Sequence, residues 1–415
     1  MQISGSPLEY PIAIIGAGPG GLFTSMHLSK LGLHHVLIEG QSFPRDKSCA
    51  DVLPSIVLRA LNQIDPNLLD DMLTKGMLSP LEGTRFFHPS SANMMLKYKQ
   101  LKELNSEASC YAVRRAAFDH YLLEYVKKSP YATVYEHTHI QNIKDEGEQF
   151  ILQAKHINIT AKLVIIAAGS TNKLNQCLGL PKPEDKHFAL GVRAYFKGVQ
   201  CKSDESELFI DRTVFPGGVY ISPLSEGLYN VNVVMKKDAA LRRKVNLEEA
   251  FHQMVVSNPV LREKFKHAEM VSPFRGAGLF LGTKTRQVCG KGFMLVGDAA
   301  GLIDLLSANG IPQAVLSAEL AAKQAKACFD ANDFSAAFMQ DYQVKLYKRV
   351  KGLLALARLV NPLAAYRLPQ EVALFGLYLV AGKPYVNRLL QALVYERRPL
   401  LAMMNPFFYL GLRKA

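Results

Sequence analysis

The chain has 415 residues, 49% of them hydrophobic and 20% charged, a balance that excludes wholesale disorder and suggests two or three globular domains. Its formal net charge is +13, which points to an anionic partner such as nucleic acid, a membrane surface or a phosphorylated ligand. No tryptophan accompanies the 17 tyrosines and 21 phenylalanines. Enzyme families whose signature contains tryptophan are therefore excluded.

The cysteines and the chain termini bear on the compartment. The six cysteines are widely and irregularly spaced without a CxxC pair, which predicts reduced thiols and neither a disulfide framework nor a metal site. The N-terminus lacks the basic stretch and apolar core of a secretory signal. The longest apolar run, Val372–Ala381, is far shorter than the ~18–20 residues of a membrane span. We expect a cytoplasmic protein, with a peripheral contact to the inner face of a membrane left open.

The first forty residues contain a nucleotide-binding pattern. A short apolar strand, Ile12–Ile15, runs into the glycine-rich segment Gly16–Gly21, which contains G-x-G-x-x-G. A helical pattern follows and ends at Gly32, and a second strand, His35–Ile38, leads to Glu39. This order predicts a dinucleotide-binding βαβ unit: strand, glycine turn, helix, strand and acid.

Each part of this unit has a physical role. Gly16 allows the tight turn, Gly18 lets a pyrophosphate approach the backbone, and Gly21 lets helix and strand pack closely. The N-terminus of the helix faces the phosphates, and Glu39 accepts hydrogen bonds from the adenosine ribose. Because an acid stands here with no arginine just after it, we expect FAD or NAD rather than NADP.

A second element far downstream favours FAD over NAD. Gly292–Gly301 is a strand that enters a turn of small residues with one acid, Asp298, and Gly310-Ile311 then opens a helical pattern through Ala327. Asp298 is placed to hold a sugar hydroxyl of an extended cofactor, and the amides near Gly310 face an electron-rich ring or its phosphate arm. The alternative is a plain strand–turn–helix with an N-cap aspartate.

Three stretches carry a family resemblance: Arg45–Asp51 (RDKSCAD), Tyr111–Asp119 (YAVRRAAFD), and GDAAG followed by Gly310-Ile311. From about Tyr10 to Ala327 the chain resembles the FAD-dependent oxidoreductases that include para-hydroxybenzoate hydroxylase, and most of all their geranylgeranyl reductase branch. The resemblance implies a set of flavin contacts: Gly20, Glu39, Cys49, Ala50, Arg115, Ile140, Asp298, Gly310 and Ile311.

Several of these residues have a second interpretation. Arg45 and Lys47 are either cofactor contacts or a solvated basic loop, and Arg115 either contacts the cofactor or pairs with Asp119 on the surface. In the reductase branch a cysteine at the position of Cys49 lies by the flavin ring, which implies a proton-donating or flavin-tuning role. The alternative for Cys49 is a small buried hydrophobic residue.

The substrate-side motif departs from the family. The reductase branch has the form Y-x-W-x-F-P, whereas this chain has Tyr220 in place of the tryptophan and Ser222 in place of the phenylalanine, with Pro223 retained. These three residues are predicted to belong to the substrate pocket, which should differ in shape or polarity from one for a plain polyprenyl chain. Tryptophan halogenases share the fold, but their signature needs tryptophans, so that interpretation is set aside.

The expected fold is α/β: a Rossmann-like FAD-binding domain of the glutathione-reductase type, discontinuous in sequence, with an inserted, mostly antiparallel β substrate domain. A basic, apolar, helical region follows at the C-terminus. The three parts are predicted as follows: the FAD-binding domain at 1–80, 108–182 and 284–340; the substrate domain at 81–107 and 183–283; the C-terminal region at 341–415.

The C-terminal region holds most of the charge. From Asp341 onward there are twelve Lys and Arg against three Asp and Glu, which leaves +9 of the total of +13. Cations interspersed with long apolar runs fit an interfacial membrane contact, or helices packed on the FAD-binding domain. No nucleic-acid module is recognisable, so nucleic acid is not expected as a partner. The oligomeric state stays open.

The function expected from the resemblance is FAD-dependent reduction of carbon–carbon double bonds in an isoprenoid or other apolar substrate. The alternatives are an FAD-dependent monooxygenase acting on an aromatic or polyketide-type substrate, and a non-catalytic, membrane-associated flavin-binding protein. Fold alone does not choose among them. There is no second G-x-G-x-x-G, so whether NAD(P)H or another reductant supplies the electrons stays open.

Overall fold

The computed structural model describes residues 7–89, 93–98, 110–305, 307–355 and 357. Within them the chain forms α-helices and mixed β-sheets. The α-helices are α1 Pro19–Lys30, α2 Ser55–Ile64, α3 Asn67–Thr74, α4 Arg115–Lys127, α5 Leu174–Cys177, α6 Lys237–Arg243, α7 Leu247–Ser257, α8 Pro259–Phe265, α9 Ile311–Ala331 and α10 Ala336–Arg349.

The strands lie before or between these helices singly, as one pair, or in groups of four. They are β1 Leu8–Ile15, β2 His35–Ile38, β3 Val52–Pro54, β4 Ser79–Pro80, β5 Gly83–Phe87, β6 Asn93–Lys97, β7 Cys110–Ala112, β8 Ala132–Tyr135, β9 Asn142–Asp145, β10 Phe150–Gln153, β11 Asn158–Ile166, β12 Phe188–Lys197, β13 Glu205–Phe209, β14 Gly217–Pro223, β15 Leu228–Lys236, β16 Glu269–Met270, β17 Arg275–Phe280, β18 Cys289–Gly290 and β19 Phe293–Leu295.

The first sheet is built around five parallel strands in the order β19-β11-β1-β2-β8. Strands β10 and β18 add antiparallel pairs at β11 and β19. The central strands are apolar and buried on both faces, as expected for a parallel sheet covered by helices. Their carboxyl ends meet at one edge, which is where ligands bind in open α/β sheets. This arrangement confirms the predicted α/β, Rossmann-type fold.

The second sheet has its own core. Its strands run β16-β12-β15-β14-β13-β5-β6, and β17 also pairs with β12; every pairing is antiparallel except that of β5 with β13. One face packs under α7 and α8 through buried residues that include Phe196, Val231 and Phe251. The opposite face carries Arg193, Tyr195 and other polar residues, and turns toward the loop after β2.

Local sequence signals account for several helix ends. Helix α2 begins at Ser55, directly after Pro54, and Asn246 caps α7 by accepting hydrogen bonds from the amides of Glu248 and Glu249. The last predicted helix of the nucleotide unit continues beyond Ala327 to Ala331, where Asn332 in a left-handed conformation ends it.

The predicted C-terminal region is described only in part. Helix α10 packs on α9, and Val350 and Leu354 beyond it pack against Leu316 of α9. Most of the basic, apolar segment on which the membrane prediction depends lies outside the described residues. Among the residues that are described, no helix has both the length and the apolar character needed to cross a membrane.

Candidate functional site

A cavity of about 960 Å³ opens at the carboxyl edge of the parallel sheet and extends to the polar face of the second sheet. Its volume lies at the upper end for small-molecule and cofactor sites. Most residues predicted to bind a cofactor line it: Gly16, Gly18, Gly20, Glu39, Arg45, Lys47, Cys49, Ala50, Arg115, Ile140, Asp298, Gly310 and Ile311. The structure therefore brings together residues that are nearly three hundred positions apart.

The glycine turn has the shape that the sequence suggested. Gly16 has φ of 102°, a conformation that favours glycine, and its N–H donates to the Ile38 carbonyl at 2.7 Å. Gly21 does not line the cavity but packs below it, where an added Cβ would lie 1.8 Å from the Gly16 carbonyl oxygen. At Gly18, by contrast, an added Cβ would meet no atom closer than 4.0 Å. The turn is thus closed on the protein side and open on the cavity side.

Glu39 is already engaged by the protein. Its Oε2 accepts hydrogen bonds from the Ala17 amide at 2.8 Å and from Arg45 Nη2 at 3.2 Å, and its Oε1 accepts from the Gln41 amide at 3.1 Å. A carboxylate has about four acceptor positions, so one remains for a ribose hydroxyl. Glu39 therefore holds the turn as well as facing the cavity.

Four cationic residues line the cavity: Lys173 and three that were predicted from the sequence. Arg45 bridges Glu39 and Asp119, with its guanidinium over the Phe43 ring. The Lys47 ammonium lies 3.9 Å from where a Cβ on Gly169 would stand. Arg115 is the third. Their charge suits the pyrophosphate of a dinucleotide better than a neutral ligand.

Asp298 lies at the other end of the cavity, in a short 3₁₀ helix after β19. Burial raises the pKa of its carboxyl group, while Lys47 and Arg115 act in the opposite direction. The hydroxyl group of Ser170 donates to its Oδ2 at 3.4 Å. Its side chain caps no helix amide, so the alternative N-cap interpretation is not what the structure shows. Gly310 stands beside it and caps α9, with room for no side chain because an added Cβ would lie 2.5 Å from Asp298 Oδ1.

Cys49 is partly exposed on the cavity wall. Burial raises the pKa of its thiol, and the charge of Asp51 adds to this, whereas Arg115 lowers it through its charge and a hydrogen bond. At neutral pH the side chain is therefore a protonated thiol beside a cation. Arg115 does pair with Asp119, at 2.8 and 2.7 Å, but this ion pair is buried and borders the cavity rather than the surface.

The opposite wall is formed by the second sheet. Tyr220 lies there, and burial raises the pKa of its phenol, with a further contribution from Asp304. Ser222 and Pro223 lie on the same strand but do not line the cavity, so their predicted place in the pocket needs correction: Ser222 is only 2% exposed and pairs across the sheet with Asn230. Side chains two residues apart share a face, yet the loop carrying Cys49 covers this end of it.

Sequence reasoning missed most of this wall. The apolar residues Val234, Leu279 and Ile303 and the polar residue Asn232 all line the cavity. A signal was present in β15, where Asn230 and Asn232 alternate with valines and so mark a polar face on an otherwise apolar strand. Among the described residues, no cluster of His, Cys, Asp or Glu could hold a metal ion.

These features fit an extended dinucleotide. The open backbone at Gly18, the cations around it and the buried acid at the far end match the phosphates and the sugar hydroxyl groups of FAD.

Comparison with known proteins shows the family. Residues 9–336 match the FAD binding domain family. The chain is 25% identical over 369 residues to a 1H-pyrrole-2-carbonyl-[peptidyl-carrier protein] chlorinase of Pseudomonas fluorescens, which covers 83% of this chain and 82% of that protein. It is 24% identical over 349 residues to the digeranylgeranylglycerophospholipid reductase of Thermoplasma acidophilum, covering 82% of this chain and 84% of the relative.

A solved structure has the same fold. The geranylgeranyl bacteriochlorophyll reductase-like protein of Thermoplasma acidophilum superposes with a TM-score of 0.80 at 20% identity, over 94% of this chain and 98% of that one. Because the relatives include a chlorinase, halogenases other than the tryptophan halogenases are among the proteins that this chain resembles. The chain belongs to the FAD binding domain family and is an FAD-dependent oxidoreductase.

Proposed function

We propose that this protein reduces carbon–carbon double bonds of an isoprenoid or other apolar substrate, with Cys49 as the proton donor. The observation that carries the proposal is the position of the Cys49 thiol, which lies beside Arg115 on the wall of a cavity whose opposite side is largely apolar. The likeness to the digeranylgeranylglycerophospholipid reductases supports the substrate class.

When bound, FAD supplies the hydride; the protein orients the substrate, excludes water and provides the proton. The Cys49 thiol suits proton donation because burial raises its pKa and keeps it protonated at neutral pH. After the proton has moved to the substrate carbon, the guanidinium of Arg115 stabilises the thiolate. A proton from solvent then restores the thiol.

The cavity wall formed by Val234, Leu279 and Ile303 would hold the apolar chain and exclude water from the reacting carbons. Tyr220 and Asn232 add polar groups to this wall. The substrate is therefore expected to be an isoprenoid that carries an oxygen function, rather than a plain hydrocarbon.

Product analysis tests the proposal. The FAD-loaded protein is incubated under argon with a chemical reductant and a digeranylgeranyl lipid, and the product is weighed by mass spectrometry. Two hydrogen atoms gained for each double bond lost support the reductase. A Cys49→Ala variant should keep its FAD content and lose roughly 10²- to 10⁴-fold in rate, the usual contribution of a positioned acid. Unchanged turnover in that variant would remove Cys49 from the mechanism.

A second function, oxygen-dependent hydroxylation or halogenation, is favoured by the similarity to the chlorinase and by the polar Tyr220 and Asn232. The same incubation in air distinguishes it. A product that gains oxygen, or a halogen when halide is added, would replace the reductase proposal.

We also propose that the chain forms a discontinuous FAD-binding domain at 1–80, 108–182 and 284–340, an inserted substrate domain at 81–107 and 183–283, and a C-terminal region at 341–415. The separation of the chain into two cores, one around the parallel sheet and one under α7 and α8, supports it. A peripheral membrane contact and a cytoplasmic location stay predictions. Sedimentation with anionic liposomes tests the first of these, comparing the full chain with one ending after residue 357, which keeps α10 and its contacts with α9.

A further inference from the structure

A buried polar cluster joins the loop that carries Cys49 to the second sheet. At its centre is Asp51, which has no exposed surface and a left-handed backbone conformation with φ of 59°. Non-glycine residues adopt this conformation rarely, and it persists where the surrounding structure fixes it. Asp51 lies two residues after Cys49, so whatever fixes its backbone also fixes the turn that presents the thiol.

The hydrogen bonds of the cluster show what fixes it. Tyr195 Oη and Asn230 Nδ2 both donate to Asp51 Oδ2, at 2.8 and 2.6 Å. Asn230 Nδ2 also donates to the Cys49 carbonyl at 2.8 Å, and Asn232 Nδ2 approaches the same carbonyl at 3.3 Å. Tyr195 lies on β12 and the two asparagines on β15, so neighbouring strands of one sheet hold both the carboxylate and the carbonyl.

Charged groups on two different elements, β12 and α4, act on Asp51. Arg193, fully buried on β12, faces it while stacked over the Tyr195 ring at 4.0 Å. Arg193 Nη2 also donates to the Lys47 carbonyl at 3.3 Å. From α4, the Arg115 guanidinium acts on Asp51, and the Arg115 amide lies 3.4 Å from its Oδ1. Burial nonetheless raises the pKa of Asp51 to about 6, so it is mainly ionised at neutral pH.

We propose that Asp51 is a positioning residue which, through Tyr195 and Asn230, fixes the Cys49 turn against the second sheet. The inference rests on the proposed role of Cys49 as proton donor and assigns the residue that prepares it. The negative charge of Asp51 also opposes ionisation of the neighbouring thiol. Asp51 therefore sets both the place and the protonation of the group that donates the proton.

The test measures how the reactivity of the Cys49 thiol depends on pH. Full-length, FAD-loaded protein is alkylated with iodoacetamide over a range of pH, and modification of the peptide containing Cys49 is followed by mass spectrometry. The variant is Asp51→Asn, since asparagine tolerates the left-handed conformation and removes the charge, while its one amide oxygen can still accept from Tyr195 and Asn230. The control is Asp46→Asn, which removes a carboxylate bound to the same Arg193 but not among the groups acting on Cys49.

In Asp51→Asn we expect Cys49 to be alkylated roughly tenfold faster near neutral pH, because removal of a neighbouring negative charge favours the thiolate. The curve of alkylation rate against pH should be displaced to lower pH. Asp46→Asn should follow the wild type. A profile for Asp51→Asn that superposes on the wild type would overturn the proposal. If that variant does not fold, Tyr195→Phe should give a smaller displacement in the same direction, and no displacement would overturn the proposal. The expected displacement without any reductase activity would refute the proposed function alone.

Discussion

Replacing Glu39 with glutamine tests the nucleotide end of the cavity. Glu39 accepts from the Ala17 amide on one oxygen and from the Gln41 amide on the other, while Arg45 pairs with the first. Glutamine has only one acceptor oxygen. One of the two backbone N–H groups must therefore face an NH₂ group, and Arg45 loses its carboxylate partner.

Two separate effects follow. An unpaired, buried backbone donor costs about 1–3 kcal/mol, so the free energy of unfolding of Glu39→Gln should fall by that amount without cofactor. A charge-assisted hydrogen bond to the ribose contributes about 1.5–3 kcal/mol, and each 1.4 kcal/mol is a factor of ten. The Kd for FAD should therefore rise roughly 10- to 100-fold.

The matched control is Glu136→Gln. Glu136 also holds the loop after β2, since it accepts from the Phe43 amide at 2.7 Å and pairs with Lys127, but it does not line the cavity. Flavin fluorescence titration gives the Kd, and urea unfolding gives the stability. We expect both variants to lose stability and only Glu39→Gln to lose FAD affinity. Equal FAD affinity in wild type and Glu39→Gln would refute the assignment of Glu39 to the ribose.

Two further predictions concern the same unit. Gly21→Ala should prevent folding of the nucleotide unit, because its Cβ would lie 1.8 Å from a backbone oxygen, whereas Gly18→Ala should fold but bind FAD poorly. Circular dichroism reports the folding of each variant, and flavin content after purification reports its FAD binding. A folded Gly21→Ala and an unfolded Gly18→Ala would contradict these roles. Burial lowers the pKa of both His27 and His35 to about 4, below the ordinary value of 6.5. Both histidines therefore take up a proton more readily in the unfolded state than in the folded state. The free energy of unfolding should fall as the pH drops from about 6.5 to 4, by up to about 3 kcal/mol for the fully buried His35. Melting temperatures measured across this range should decline less steeply in His35→Gln, and an equal decline would contradict the assignment.

Local patterns were enough to predict the nucleotide unit. The order of strand, glycine turn, helix, strand and acid determines a βαβ unit, because each step depends on residues adjacent in sequence. The residue pattern around Asp298 and Gly310 suggested a second cofactor element, but no local rule places that element beside the nucleotide unit, because the two are so far apart in sequence.

The cavity wall opposite the cofactor could not be predicted in the same way. Which face of β15 turns toward the loop carrying Cys49 depends on how two separate sheets pack together. The position of Ser222 shows this, because its spacing from Tyr220 gave the correct face but not the loop that covers it. Asp51 was part of a recognised motif, yet its left-handed backbone and its contacts with Tyr195 and Asn230 are visible only in three dimensions.

The central claim is that reduced FAD in this cavity is oxidised by an alkene, with Cys49 supplying the proton. The most direct measurement is the rate at which photoreduced protein recovers its oxidised flavin absorbance under argon after a digeranylgeranyl lipid is added. We predict recovery in proportion to the double bonds lost, and a slower recovery in Cys49→Ala at equal FAD content. Reduced flavin that persists with every isoprenoid tested and is oxidised only when oxygen is admitted would contradict the claim.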